Sequence, residues 1–595
     1  MSKIKVFQYI VDFLIHNGYD TFFLVTGGAI VPMVDYIGTN KKVKFYCFQH
    51  EQSAAMAAES FYRTSGKMIV VLTTSGPGAQ NLLNGICGCW YESIPCLFIT
   101  GQVSTYETID AIKSNPRQVG FQETPVIDSF KFFTKFAKQI TKVNEIESVL
   151  NNALKSCFEG RQGPSIIDLP VDIQNSLLAN KQFKKVKYNM PNFKISKEIK
   201  SISGALKRFK RPLILLGHGV KISGAKLEAK KLIEHLNCPF VVSWGGFDII
   251  SHSHKNFIGH IGVYGSRGAN YAIQNCDLLI SIGSRLDTRQ TGGALETFSR
   301  ESFKVMVDID PEEINKNRGI KIDIPVVCDA KQFINDLIEN SSTLEINKSW
   351  SEYLKKVKKI NEKRNVKKSD LTSYEFLSYL NEKIPGNSVI IPDEGGNLVW
   401  SMQSIKIRSK QKLYSNFGNS SMGYALPSAI GSCLANKGPV ICIDGDGGIQ
   451  MNIQELQTIK HYNLPIKIFI LNNNCYGIIK QFQDSYFNKR YIATESKDYS
   501  APDFVKVATA YGINAYRATK ENYEKIINLA LINKGPTLVD VIIDKGQKLT
   551  PKLEYGNPLE DMSPYQTDKQ IKTNMIIKTI PRRDNSSTSW VNLKK

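Results

Sequence analysis

Short apolar runs recur along this chain, and the stretches between them carry apolar residues three or four positions apart. Between residues 22 and 172 the runs fall at 21–24, 45–47, 68–72, 96–99 and 165–168. Strands alternating with helices predict a parallel sheet with helices on both faces. A second unit opens at 212–216 and runs through 305–310 to 326–327, and a third has strands at 389–391, 440–443, 466–471 and 537–543. The expected fold class is α/β, with three doubly wound parallel-sheet domains.

The boundaries follow from where this pattern fades. We expect a first domain over 1–178, a central domain over 190–340, a third over 370–548 and a C-terminal tail over 549–595. The basic, polar stretch 181–188 before Pro191 reads as a linker, and lysine-rich 341–368 as a connecting helix. The tail carries Pro551, Pro558, Pro564 and Pro581 without periodicity, so it is expected to wrap the surface or to be partly disordered. At the N-terminus Ile4, Phe7, Ile10, Val11 and Leu14 have helical spacing interrupted by Asp12, unlike a secretory leader.

Composition narrows the function classes. A length of 595 residues exceeds one hydrophobic core and suits three domains. The net charge of +21 is spread along the chain, often as Lys beside Ile and Asn, so neither a nucleic-acid nor a membrane partner is expected. Eleven cysteines without a C-x-x-C pair read as reduced and buried. No apolar run is long enough to span a bilayer, and a cytoplasmic location is expected.

The stretch richest in chemistry is Gly445-Asp446-Gly447. It follows one apolar run and precedes a helix-like segment, a second apolar run and Asn472-Asn473. A strand–helix–strand crossover returns the chain to the same sheet edge, so Asp446 and Asn473 can reach one ion. Mg²⁺ takes about six oxygens in near-octahedral geometry, commonly shared with phosphate and water. Asp446, the amide oxygen of Asn473 and the carbonyl of Cys475 would supply the protein's share, while the glycines admit a diphosphate to backbone amides. Each half alone reads equally as a turn or a strand end. Together, between two apolar strands, they point to a metal–diphosphate site.

Gly-Asp-Gly followed by paired Asn is the thiamine-diphosphate (ThDP) motif, and the chain resembles acetolactate synthase large subunits. The resemblance is carried by GDGGIQMNIQELQTIKHYNLPIKIFILNNNCYGIIKQF (445–482), HEQSAAMAAESFYRTSGK (50–67), TSGPGAQN (74–81), FQETP (121–125), GRQGP (160–164) and DIDPEEINKN (308–317). It implies a pyrimidine-binding domain, a central FAD- or nucleotide-type domain and a diphosphate-binding domain. It also implies decarboxylation of a 2-oxo acid, pyruvate above all, and ligation of the product to a second carbonyl compound.

Glu51 matches the acid that contacts the aminopyrimidine ring and promotes proton loss from the reactive carbon. Taken singly, it would read as a helix N-terminal Glu. Met422 matches the apolar prop under the cofactor. Gly28, Pro77, Asn81, Gly445, Gly447, Gly448, Tyr476, Gly477 and Ile478 match positions around it. Phe121 and Gln122 match substrate-side residues and Lys135 a channel lysine, although a lone Lys is as often solvated surface. The family's cofactor lies between first and third domains of different subunits. That implies a homodimer or homotetramer and leaves room for a regulatory subunit.

In the central domain the resemblance implies FAD, held by Arg161, Gly217, Gly219, Gly265, Gly283, Arg285, Asp287, Arg289, Asp308, Ile309 and Asp329. Glycines after apolar strands admit a pyrophosphate and arginines pair with it. An emptied site or an adenine nucleotide is the competing reading. Three stretches depart from the family pattern: Val25-Thr26-Gly27-Gly28, Asp393 to Trp400, and Phe482 where biosynthetic relatives carry Trp. The acceptor could therefore differ, and acetyl transfer to a nucleotide-linked keto-sugar, simple or oxidative decarboxylation, and a non-catalytic binding role stand as alternatives.

Overall fold

Runs buried on both faces become the strands of three six-stranded sheets, each all-parallel and covered by helices. The computed structural model describes residues 3–179, 182–316, 318–362, 369–408, 410–436 and 438–582. In the first domain the strands lie in the order Lys44–Cys47, Thr21–Leu24, Val70–Thr73, Leu97–Gln102, Ser165–Pro170, Phe136–Gln139. In the third they lie in the order Lys412–Leu413, Val389–Pro392, Val440–Gly445, Lys467–Asn472, Thr537–Ile542, Asn514–Ala518. Counted along the chain, both sheets follow the same 2-1-3-4-6-5 arrangement.

The central sheet is wound differently. Its order is Phe257–His260, Phe240–Val242, Pro212–Leu216, Leu278–Ile282, Phe303–Asp308, Ile324–Val327, which is 3-2-1-4-5-6 in chain sequence. That arrangement places a reversal between Pro212–Leu216 and Leu278–Ile282 and is associated with dinucleotides.

First and third domains meet along two helices, Glu51–Ser65 and Ala425–Ala435. Gly431 makes the approach possible: a Cβ there would stand 1.9 Å from the Ala57 carbonyl oxygen. Behind the helices runs a buried ionic network. Arg63 pairs with Glu59 at 3.1 Å and with Glu92, and donates to the Ser415 carbonyl at 3.0 Å. The Arg63 side chain is 3 % exposed. Arg63→Met would leave two carboxylates in the interior without their cation, an expected loss of about 3–5 kcal/mol. Chemical denaturation checks this, and a variant as stable as its parent would count against the network.

Two readings change. The tail was expected over the surface or partly disordered. Up to residue 582 it is ordered: Lys552–Leu553 pairs antiparallel with Met562–Ser563, the helix Asp568–Asn574 follows, and Leu553, Leu559, Met562 and Ile577 are buried. Its proline-broken chain hides apolar side chains at irregular intervals. Residues 583–595 lie outside the described residues. The expected connecting helix forms at Lys348–Lys358, but it buries Trp350, Leu354 and Val357 with the central domain's apolar cluster. The end of that basic stretch, 363–368, is outside the described residues, as is Asn317 of the 308–317 motif.

Candidate active site

In open parallel sheets, ligands bind beyond the carboxyl ends of the strands where the winding reverses. In the first domain that point lies between Thr21–Leu24 and Val70–Thr73. The loops leaving them are tied together, because Ala29 N donates to Thr74 Oγ1 at 3.2 Å. Glu51, at the start of its helix, is buried there. Asn81 Nδ2 donates to Glu51 Oε2 at 3.0 Å. Gly78, on the short helix opened by Pro77, lies beside the other oxygen and packs closely on Thr74, whose Cγ2 would stand 2.8 Å from a Cβ at 78. Gln122, at φ +67°, abuts the Gly76 turn, where a Cβ would stand 2.9 Å from its own Cβ. Phe121 beside it is 85 % exposed, and Gly28 lies exposed in the neighbouring loop.

The third domain reverses between Val389–Pro392 and Val440–Gly445. Here Asp446, Asn473 and Cys475 come together. One terminal atom of the Asn473 carboxamide lies 2.8 Å from the Cys475 carbonyl oxygen and 3.2 Å from Asp446 Oδ1. Tyr499 donates to Asp446 Oδ2 at 3.0 Å, and burial pushes the Asp446 carboxyl up to about 7. The surrounding glycines exclude side chains: a Cβ at Gly447 would stand 2.4 Å from the Tyr476 ring, and one at Gly477 would stand 2.6 Å from Asn473 Nδ2. Gly448 backs onto Asp393 and Asp444, and Gly445 faces Asn397 Oδ1. Asp393 accepts from Gly423 N and Ala425 N, both at 2.9 Å, which fixes the turn carrying Met422. Ile478 is half-buried in the first turn of the helix Gly477–Tyr486.

The two clusters are tied to each other's domains within one chain. Glu455 accepts from Gln49 N and His50 N at 3.1 Å, immediately before Glu51. Burial raises the Glu455 carboxyl to about 7. Asn452 Oδ1 accepts from Gln52 Nε2 at 3.2 Å and Ser53 Oγ at 3.1 Å.

At the reversal of the central sheet lies a cavity of about 750 Å³. Arg161, Gly219, Gly283, Arg285, Asp287, Asp308, Ile309 and Asp329 line it, as does His218 between the two matched glycines 217 and 219, together with Glu92 and Gly245, which the sequence reading had not assigned to a flavin site. Burial raises the Asp308 carboxyl to about 6. Gly217, Gly265 and Arg289 are not among the lining residues. Gly217 packs against the Gly283 carbonyl and Gly265 against the Ile261 backbone. Arg289 turns to the third domain, donating to Ser420 Oγ at 3.1 Å. Lys135 is not gathered with Glu51: its Nζ donates to the Glu159 carbonyl, and it lines a separate cavity of about 420 Å³ with Trp90, Arg161 and Glu313.

Sequence reasoning missed Tyr499 and Glu455. Glu455 stands inside the 445–482 motif, so a signal existed. Tyr499 follows a loop with no motif, and only the folded chain brings it to Asp446.

Comparison with known proteins matches three segments to thiamine pyrophosphate enzyme models: the N-terminal TPP binding domain over 4–129, the central domain over 199–337 and the C-terminal TPP binding domain over 393–541. A probable acetolactate synthase large subunit of Methanocaldococcus jannaschii is 33% identical over 585 residues, covering 95% of this chain and 96% of that protein. The acetolactate synthase isozyme 2 large subunit of Escherichia coli K12 is 31% identical over 559 residues, covering 93% of this chain and 98% of that protein. Such similarity extends through all three domains, and the chain belongs to the acetolactate synthase large-subunit family of thiamine pyrophosphate enzymes.

Proposed function

We propose that the chain works as a homodimer that holds ThDP through Mg²⁺, binds FAD in its central domain, decarboxylates pyruvate and joins the acyl unit to a second carbonyl compound. Decarboxylation and carboligation with ThDP follow from its family, and the chain is a ThDP-dependent carboligase.

The observation that carries the metal assignment is the meeting of Asp446 Oδ1, the Asn473 carboxamide and the Cys475 carbonyl. The Asn473 amide nitrogen is placed to donate to the Cys475 carbonyl at 2.8 Å and to Asp446 Oδ1 at 3.2 Å, and turning the amide over for a cation puts its oxygen at those distances from the other two. That spacing suits adjacent corners of an octahedron with Mg²⁺–oxygen distances of about 2.1 Å. The residues therefore fit the ion, and the glycines at 445, 447 and 477 leave room for a diphosphate. ThDP, when bound, supplies the carbon nucleophile and the electron sink. The chain's own groups bind and orient: Asp446 and Asn473 hold the charged end, Met422, on the turn anchored by Asp393, props the cofactor, and Glu51 exchanges a proton with the aminopyrimidine ring.

Leu83, Phe121, Met451 and Ile479 are large apolar residues left exposed near these motifs, which supports a second copy covering them. The dinucleotide-type winding and its cavity support FAD. The eleven free cysteines fit a cytoplasmic location, and among the described residues no helix is long and apolar enough to cross a membrane. The relatives' names speak of large subunits, in keeping with a regulatory partner.

With ThDP, Mg²⁺, FAD and pyruvate, the purified protein is expected to release CO₂ and form acetolactate. Absence of both products would refute the reading, and oxygen uptake matching pyruvate loss would select oxidative decarboxylation instead.

A further inference from the structure

The strand Val389–Pro392 ends in Asp393-Glu394-Gly395, at the same sheet reversal as Asp446 and within the stretch that departs from the family pattern. Glu394 is only 6 % exposed. Its Oε2 accepts from Ser420 Oγ at 2.7 Å and lies 3.8 Å from Arg289 Nη1. Its Oε1 is buried with no hydrogen-bond partner among the described residues. An unsatisfied buried oxygen costs about 1–3 kcal/mol, more when charged. An apolar residue would avoid that cost, so a carboxyl kept at the ligand end of this sheet is a functional-site candidate.

Its surroundings make it a group that can hold and release a proton. Arg289, from the central domain, has a side chain 40% exposed and its guanidinium 5.3 Å from the Trp244 ring centroid. Arg289 donates to Ser420, and Ser420 donates to Glu394, so the carboxylate form of Glu394 has a cation and a hydroxyl donor ready on its Oε2 side. Ser420 holds φ +61°, a left-handed conformation that a non-glycine residue adopts at a cost. Asp393 anchors the following turn through Gly423 and Ala425.

We propose that Glu394 is a further catalytic residue, which gives its proton to the carbonyl oxygen of the acceptor as the new carbon–carbon bond forms. The assignment rests on the carboligation reading above. As the nucleophilic carbon bonds to the carbonyl carbon, the C=O π pair moves onto oxygen and takes the proton from Oε1. The acceptor oxygen becomes a hydroxyl, and Glu394 is left as a carboxylate facing Arg289 and Ser420. Water reaching Oε1 as the product leaves returns the proton, and Arg289 and Ser420 hold the carboxylate until then.

Burial raises the Glu394 carboxyl to about 7, against the pull of Arg289 and Ser420; the charges of Asp393 on its own strand and Glu92 from the first domain add to the rise. The acid form is thus available at neutral pH and is lost as pH rises through about 7.

The test uses the full-length protein with pyruvate as both donor and acceptor. CO₂ release with ferricyanide as oxidant reads the first half-reaction, and acetolactate formation reads the ligation. Glu394→Gln is expected to slow ligation by about 100-fold, to leave ferricyanide-coupled CO₂ release within about two-fold, and to erase the alkaline limb. Unaltered ligation and pH profile would overturn the assignment. So would equal loss of both half-reactions, which places Glu394 in cofactor holding. Should thermal melting show the Gln variant poorly folded, Glu394→Asp decides: a displaced limb supports the assignment and a stationary one overturns it. A wild-type protein that neither releases CO₂ from pyruvate nor forms acetolactate removes the parent reading, and the inference with it.

Discussion

Glu51→Gln is expected to lower pyruvate turnover by about 10²–10⁴-fold while the protein stays folded. The substitution keeps the size of the side chain and an oxygen able to accept from Asn81 Nδ2, so the contact that now orients Glu51 survives. The helix it opens is held elsewhere, by the Gly431 crossing and by Glu455 gripping the backbone of Gln49 and His50. What disappears is an ionisable proton. Steady-state kinetics, with exchange of the cofactor's reactive-carbon proton into deuterium oxide, separates this loss from a binding defect. Turnover equal to the parent's would remove Glu51 from the mechanism.

Asp446→Ala is expected to weaken Mg²⁺-dependent ThDP binding by about 100-fold and to abolish turnover at ordinary Mg²⁺ concentrations. Without the carboxylate, the Asn473 amide and the Cys475 carbonyl are two neutral ligands, and nothing on the protein side offsets the charge between metal and diphosphate. Tyr499 loses its acceptor as well, so the loop bearing it is freed. Calorimetric titration of ThDP at several Mg²⁺ concentrations reads the effect. A variant that binds ThDP as tightly as its parent, with the same Mg²⁺ requirement, would place the ion elsewhere.

Interior strands were legible because burial on both faces writes an unbroken apolar run, as at Pro212–Leu216 and Val440–Gly445. Two edge strands were not: Phe136–Gln139 and Asn514–Ala518 are only partly buried and carry too few apolar residues to signal, whereas the edge strands Lys44–Cys47 and Ile324–Val327 showed short apolar runs. Leu278–Ile282 is a buried apolar run that the reading passed over, although its signal was present. In the site, Asp446 and Asn473 announced each other because one crossover joins their strands. Arg289 was matched to a flavin ligand by resemblance alone, and in the fold its guanidinium donates to Ser420 of the third domain. That direction depends on how two domains pack, which no local pattern encodes. Glu394 was noticed as a departure, but its buried and half-satisfied state belongs to the fold.

The ordered tail has a consequence for how the molecule is assembled. Leu553, Leu559 and Met562 share one apolar cluster with Leu213, Leu215, Tyr271 and Trp350. Domains are generally able to fold in order as the ribosome delivers them. Here the middle of the polypeptide does not close its own interior until residue 562 has been translated, and a message truncated before residue 552 would yield a protein whose centre stays open to water.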